Sequence, residues 1–350
     1  MLIFGLLIAS TLVTLIDAGS WSVPISIGPS VRRNNMLKLS DVYGQGLVYE
    51  DDRLYRGTVY VGTPPVPFTV LFDTGPHVKY CSSGLGLYDP DNSVTATHVN
   101  KIFNIKYGTG SARGIFFKDS FTFGGSMRFK KRIKIGAADV MEYSDQPILG
   151  LPSKLNSKEK GSSVMHEAWR QKLLDAPIFT IYLRNCPNYE ECKTSGVISF
   201  GALDELNCEE VIEYIKINPE SYKWQFTVSE FRIGRGRVLT PFDAHPDSGA
   251  TSIGAPSNVV ERIMREFGAR ASGRYHIVKC DVDATVTLTI HGHQYEIPST
   301  NMLLNLHNGW CRVLLIGISN TWILGAPFTK TFCQVHNIET RTIGFAKARD

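Results

Sequence analysis

The chain has 350 residues, of which 43% are hydrophobic and 20% charged, and a formal net charge of +4. That length can bury a large core, in two lobes rather than one, and the composition is that of an ordinary soluble globular protein. So small a net charge, with no broad basic stripe, argues against a nucleic-acid surface; the short cluster Arg128 to Arg132, interrupted by Phe129, reads as a solvated hairpin edge. The 31 glycines, 17 prolines and many aromatics point to a β-rich fold with numerous turns.

The apolar run from Leu2 to Ile16 is short for a membrane span and reads as the core of a signal peptide over residues 1–18. Cleavage after Ala18 is expected, although no leading Lys or Arg precedes the run, and an uncleaved anchor is the minor alternative. No other stretch could cross a bilayer, so no membrane span is expected in the mature form. Residues 19 to about 50 are polar and mildly basic, with Arg32, Arg33 and Lys38. They read either as a flexible extension or as a pro-segment whose cations cover an acidic cleft, the second being preferred for the reasons below.

Strand-like runs alternate with turns from Leu54 onwards. Leu54 to Val61 leads through Gly62-Thr63-Pro64-Pro65 into Phe68-Thr69-Val70-Leu71-Phe72, which ends on Asp73-Thr74-Gly75. Phe103 to Tyr107 and Gly114 to Phe117 flank Gly108-Thr109-Gly110-Ser111, the pattern of a β-hairpin with a glycine-rich tip. Helical spacing is confined to Val164–Leu174 and to Val259, Val260, Ile263, Met264 and Phe267, the latter stopping at Gly268.

Seven cysteines fit a secretory context. Cys186 and Cys192 could close a small loop, Cys280 and Cys311 bracket a strand-rich segment, and Cys208 with Cys333 would leave Cys81 over, read as a buried thiol with pairing to another chain as the alternative; spacing alone leaves the connectivity open. No Cys/His spacing suggests zinc, and the nine histidines form no ligand cluster, so no metal or other cofactor is expected.

The dominant organisational signal is an internal repeat. Gly150, in Ile148-Leu149-Gly150, lies 77 residues after Asp73; Gly325, in Ile323-Leu324-Gly325, lies 78 residues after Asp247, which opens Asp247-Ser248-Gly249. Two related lobes would bring the acidic turns together across a pseudo-twofold axis. Two carboxyls in contact cannot both ionise cheaply, so they share a proton and titrate as a pair. The ionised member can take a proton from water while the protonated one polarises a peptide carbonyl. A glycine-tipped hairpin above them would hold a substrate strand and exclude bulk water.

On these residues the chain resembles the pepsin family of aspartic proteases, and its pattern is similar to that of the nematode members. The resemblance runs from about Leu54 to Ala348. It rests on the Gly-Thr-Pro-Pro entry, Phe72-Asp73-Thr74-Gly75, Tyr107-Gly108-Thr109-Gly110-Ser111, Gly201-Ala202-Leu203-Asp204, Trp224-Gln225, Gly254-Ala255-Pro256 and Ile343-Gly344-Phe345-Ala346. It implies an all-β, mainly antiparallel, bilobal pepsin-like fold with few short helices, divided into an N-terminal lobe over 53–205 and a C-terminal lobe over 206–350. It implies Asp73 and Asp247 as the catalytic dyad, Thr74, Gly75, Ser248 and Gly249 as support of the two loops, and Tyr107 as the flap tyrosine, with Gly108 and Thr109 beside it against substrate. It also implies the disulfides Cys280–Cys311 and Cys208–Cys333. The shared-proton chemistry of such a dyad is the well-known one of pepsin itself.

The expected function is therefore aspartic-type endopeptidase activity on extended protein or peptide substrates, at acidic pH, by a monomer that is secreted or lysosomal. Several positions depart from the family pattern. Pro76 and Ala250 replace the hydroxyl residues that follow each Asp-Thr-Gly, which should raise the titration of the pair. Pro246 within a central strand should distort it locally. Lys79, Tyr80, Pro147, Ala326 and Pro29 also differ from what the family places there, Pro29 standing where pepsinogen-like segments carry a lysine. His245 is read as a replacement without a special role, a pH-sensitive neighbour of the dyad being the alternative. These departures leave two readings: an active enzyme with a shifted pH optimum, or a catalytically weakened homologue that binds peptides in the same groove.

Overall fold

The computed structural model describes residues 21–28, 54–75, 80–82, 88–106, 111–123, 127–142, 147–154, 163–184, 196–318 and 320–349. The expected signal peptide, the pro-segment beyond Gly28, Pro29, Pro76, Lys79, the hairpin tip 107–110, and the Cys186 and Cys192 pair lie outside them.

Strands dominate and most neighbours run antiparallel, as expected; the α-helices among the described residues are Val164–Arg170, Ser257–Phe267, Ser299–Met302 and Ala326–Thr331. No helix among those residues is long and apolar enough to cross a membrane. The strand Val66–Asp73 shows why the sheets form. Phe68, Val70 and Phe72 point to one face and are buried, while Pro67 and Thr69 on the other face are exposed, the period of two that a half-buried strand requires. Phe72 stacks on Phe123, and Phe123 lies 4.5 Å from Phe200, ring centre to ring centre. One continuous apolar cluster runs on from there through Phe179, Trp224 and Phe226 to Phe345 in the second half of the chain.

The largest sheet has 15 strands and includes parts of both halves. In it, Trp21–Gly28 pairs antiparallel with Gly196–Phe200 through Trp21–Ile25 and with Leu54–Val61 through Ser26–Gly28. At least this part of the segment read as an extension or pro-segment is therefore an integral strand. Thr97–Lys106 and Ser111–Asp119 form the expected hairpin, in register to Lys106 and Ser111. The Arg128 cluster begins within a short hairpin, in which Thr122 faces Arg128 and Phe123 faces Met127, and Phe129 just after it is buried. A second, five-stranded sheet carries the other acidic turn, with Phe242–Pro246 between Phe226–Val228 and Trp322–Leu324.

A buried polar knot ties the turn before Val66 to the rest. Asp119, fully buried, accepts from the Tyr88 and Thr95 hydroxyls and from the Ser120 N–H, and Ser120 Oγ donates to Gly62 O at 2.7 Å. Every acceptor on that carboxylate is used, which is what makes its burial tolerable.

Candidate active site

Each acidic turn is launched by one strand and flanked by a parallel neighbour. Val66–Asp73 runs parallel to Ile148–Gly150 with Asp73 opposite Gly150, and Leu151 N donates to Asp73 O at 2.7 Å. Phe242–Pro246 runs parallel to Trp322–Leu324 with Pro246 opposite Leu324, and Asp247 N donates to Leu324 O at 3.0 Å. The near-equal offsets of 77 and 78 residues are thus one structural relationship made twice.

Thr74 and Ser248 lock the turns to each other. Thr74 Oγ1 donates to Pro246 O at 3.0 Å and Ser248 Oγ to Phe72 O at 2.7 Å, and both residues are buried. The N–H of Gly75 donates to Asp73 Oδ1 at 2.8 Å, and that of Gly249 to Asp247 Oδ1 at 2.9 Å. A side chain at either glycine has no room. A Cβ at Gly75 would lie 2.6 Å from Asp247 Oδ2, and one at Gly249 would lie 2.9 Å from Asp73 Oδ2. Each glycine therefore faces the opposite carboxyl, and only hydrogen at Cα allows the approach.

A Cβ at Gly75 would also lie 3.1 Å from Asp73 Oδ1, and one at Gly249 3.2 Å from Asp247 Oδ1, so the two carboxyls sit side by side and act on each other electrostatically. Burial first, and then the charge of Asp247, hold the Asp73 carboxyl well above the usual carboxylate range. Burial also raises Asp247, opposed by the hydrogen bond from Asp73, the Gly249 amide and the charge of Lys223. The pair therefore keeps a proton at a pH where ordinary carboxyls have lost theirs. One member can then act as base and the other as acid towards a water and a carbonyl placed between them.

Ala250 is buried against Ile316, Ile318 and Ile323 and offers no hydroxyl to the pair. Pro246 does not distort its strand as expected. It is the last residue, the pairing with Phe226–Val228 ends two residues earlier at Ala244, and its carbonyl is put to use by Thr74. Pro147 likewise offers its carbonyl to Leu71 N at 2.9 Å. Tyr80 and Cys81 lie in the strand Tyr80–Ser82, beside Ile133–Glu142. The disulfides Cys208–Cys333 and Cys280–Cys311 are both formed. Tyr107, Gly108 and Thr109 fall outside the described residues, between strands that bring Lys106 and Ser111 side by side. Among the described residues no group of three His, Cys, Asp or Glu side chains could hold a metal ion.

One neighbour of the pair was not singled out from the sequence. Lys223 Nζ lies 3.0 Å from His245 Nε2. The signal was present, since Lys223 immediately precedes Trp224-Gln225, but a lone lysine before a buried tryptophan reads as surface.

Residues 54–348 match the family model described as eukaryotic aspartyl protease. The chain belongs to this family. It is 31% identical to aspartic protease 1 of Caenorhabditis elegans over 86% of this chain and 83% of that one. It is 27% identical to aspartic protease 2 of Necator americanus, over 98% and 94% respectively. Human gastricsin is 26% identical over 85% of this chain and 82% of its own. The aspartyl proteases thus include a member whose second turn reads Asp-Ser-Gly-Ala and whose approach to it reads His-Pro.

Proposed function

We propose that this aspartyl protease homologue is an endopeptidase that hydrolyses peptide bonds by a water activated between Asp73 and Asp247. The observation that carries the reading is the close approach of two carboxyls, each bonded by the glycine amide of its own turn and each facing the glycine of the other turn. The ionised member of the pair takes the proton of the water, and the protonated member donates to the carbonyl oxygen as the tetrahedral carbon forms. No covalent enzyme intermediate is needed. Tyr107, Gly108 and Thr109, at the end of the paired strands Thr97–Lys106 and Ser111–Asp119, cover an extended substrate strand. Acidic pH suits a pair that must retain one proton. The two disulfides and the apolar N-terminal run support passage through the secretory pathway, to the exterior or to lysosomes. The protein works as a monomer on protein or peptide substrates.

The test is cleavage of denatured haemoglobin or casein by the purified protein from about pH 3 to about pH 7, beside Asp73→Asn. Turnover in the wild type and none in the variant is expected. A folded wild type that cleaves at no pH, yet binds a peptide inhibitor, would overturn the catalytic reading.

A further inference from the structure

Lys223 sits where a positive charge has few reasons to be. Its segment is fastened to the first acidic turn from behind. Trp224, completely buried, donates its indole N–H to Leu151 O at 2.8 Å, and Leu151 N in turn donates to Asp73 O. Ser153 holds the residue before it, with both its N–H and its hydroxyl donating to Tyr222 O at 2.9 Å. The segment then enters the strand Phe226–Val228, whose antiparallel register with Phe242–Pro246 is Val228 to Phe242, Thr227 to Asp243 and Phe226 to Ala244.

The ammonium does not turn away to water. Its partner is Nε2 of His245, which is only 2% exposed. The His245 ring is also held by the backbone of Trp322. An imidazole that accepts from an ammonium must be neutral at Nε2, so the contact selects the tautomer with the proton on Nδ1. Other charged groups on the packed elements are engaged elsewhere. Asp243 accepts from Gln225 Nε2 and Thr227 Oγ1, Lys154 Nζ donates to Pro219 O, and Arg341 donates to the carbonyls of Asn218, Pro219 and Ser221. Asp247 and then Asp73 are the anions whose charge acts on Lys223.

We propose that Lys223, held in place by neutral His245, is a positioning residue for the Asp73–Asp247 pair: a resident cation whose field favours ionisation and so sets the pH window of the single-proton state. The inference rests on the dyad reading above. Its electrostatic sense agrees with the site. Burial lowers Lys223, while the charges of Asp247 and then Asp73 raise it, and the same lysine lowers both carboxyls in return. His245 is pushed down to about 3, first by burial and then by the Lys223 charge, and so remains an acceptor through mild acid. The device opposes the effect of the missing hydroxyl at Ala250. There the site lost a donor that would favour the ionised form, and here a cation supplies the same bias through space.

A positive charge near both carboxyls makes each ionisation of the pair occur at lower pH. Removing it must therefore move both limbs of the pH profile of kcat/KM towards neutrality. The variants are Lys223→Met, which removes charge and donor, and Lys223→Gln, which removes charge but keeps a donor for His245. Lys223→Arg keeps the charge and is expected to keep the wild-type profile. A purely structural lysine would instead lower kcat/KM at every pH without moving the limbs. Lys223→Gln carries the comparison should Lys223→Met not fold.

A second readout does not depend on turnover. Titration of the aspartate carboxyl carbons by NMR in isotopically labelled protein, assigned with Asp247→Asn, reports the ionisation of the pair directly. Both ionisations are expected to shift to higher pH in Lys223→Gln. Unchanged carboxyl titration in folded Lys223→Gln would overturn the proposal, whether or not the wild type cleaves peptides. A shifted titration in a protein that cleaves nothing would retain Lys223 and overturn the enzymatic reading alone.

Discussion

The backbone N–H of Thr74 donates to the hydroxyl of Ser248, and the N–H of Ser248 donates to the hydroxyl of Thr74, each at 3.2 Å. With the onward bonds to Pro246 O and Phe72 O, the two side chains satisfy buried backbone groups of both turns at once. The separation of the carboxyls is therefore set by neutral hydrogen bonds that do not titrate.

Ser248→Ala leaves the Thr74 N–H and the Phe72 carbonyl without these partners in a buried place. The expected loss is about 1–3 kcal/mol in denaturant titration, since each orphaned group carries its desolvation cost. Ser248→Thr, which keeps the hydroxyl, should recover most of it. In a peptidase assay Ser248→Ala should lower kcat more than it raises KM, because the lock spaces the carboxyls rather than touching substrate.

Asp73→Asn should remove turnover and yet stabilise the fold at neutral pH. The Asp73 carboxyl has its folded pKa raised by burial and by Asp247, above the unfolded value. Its contribution is therefore fully present below the unfolded pKa and is lost as pH rises through the folded one. The melting temperature of Asp73→Asn relative to wild type should climb as pH is taken from about 4 to about 7. A difference that stays flat over that range would argue against a proton-sharing pair.

His336 should make the protein sensitive to acid. Its ring is completely buried, stacked on Phe179 at 4.4 Å and edge-on to Trp224 at 4.6 Å, and burial pushes its pKa from 6.5 down to about 3. A folded pKa below the unfolded one means stability that is present above 6.5 and lost as pH falls towards 3. At ~1.4 kcal/mol per unit, several kcal/mol are at stake. His336→Phe, which preserves the stack, should gain on wild type progressively between about pH 6 and about pH 4 in urea melts. An unchanged difference across that interval would exclude the mechanism.

Gly325→Ala should be among the most damaging single changes. A Cβ there would lie 2.3 Å from Ser252 O and 2.6 Å from Ala250 O, both backbone atoms that cannot swing away. The strand beside the second acidic turn would have to move. A loss above about 3 kcal/mol, or no soluble folded protein, is expected from the denaturation midpoint.

Much of this architecture was legible in the residues. The repeated offset from Asp to Gly is readable because each acidic turn has a parallel neighbour at a fixed distance along the chain; Gly150 lies opposite Asp73, and Gly325 sits where a Cβ would meet backbone. The two longest of the four α-helices among the described residues, Val164–Arg170 and Ser257–Phe267, were marked by their spacing, and Cys208–Cys333 and Cys280–Cys311 by the family pattern. Pro246 misled because a rule about strand interiors was applied to a strand end, and chain order does not say where pairing stops. Trp21–Gly28 carried a strand signal in its alternation of Trp21, Val23, Ile25 and Ile27, outweighed by the polar residues that follow. The Lys223–His245 contact had no local signature at all. It depends on a register between segments some twenty residues apart, and that register is a property of the sheet rather than of either segment.

Among the described residues, the strand Trp21–Gly28 joins Gly196–Phe200 to Leu54–Val61 along the largest sheet. A cut anywhere between Gly28 and Leu54 would therefore yield a two-chain particle rather than a shortened protein. The small fragment would stay clamped by main-chain bonds on both sides, and its departure would require the sheet to part at its middle. Scission and release are separate events in such a molecule, and the second, not the first, would govern how long the severed piece remains.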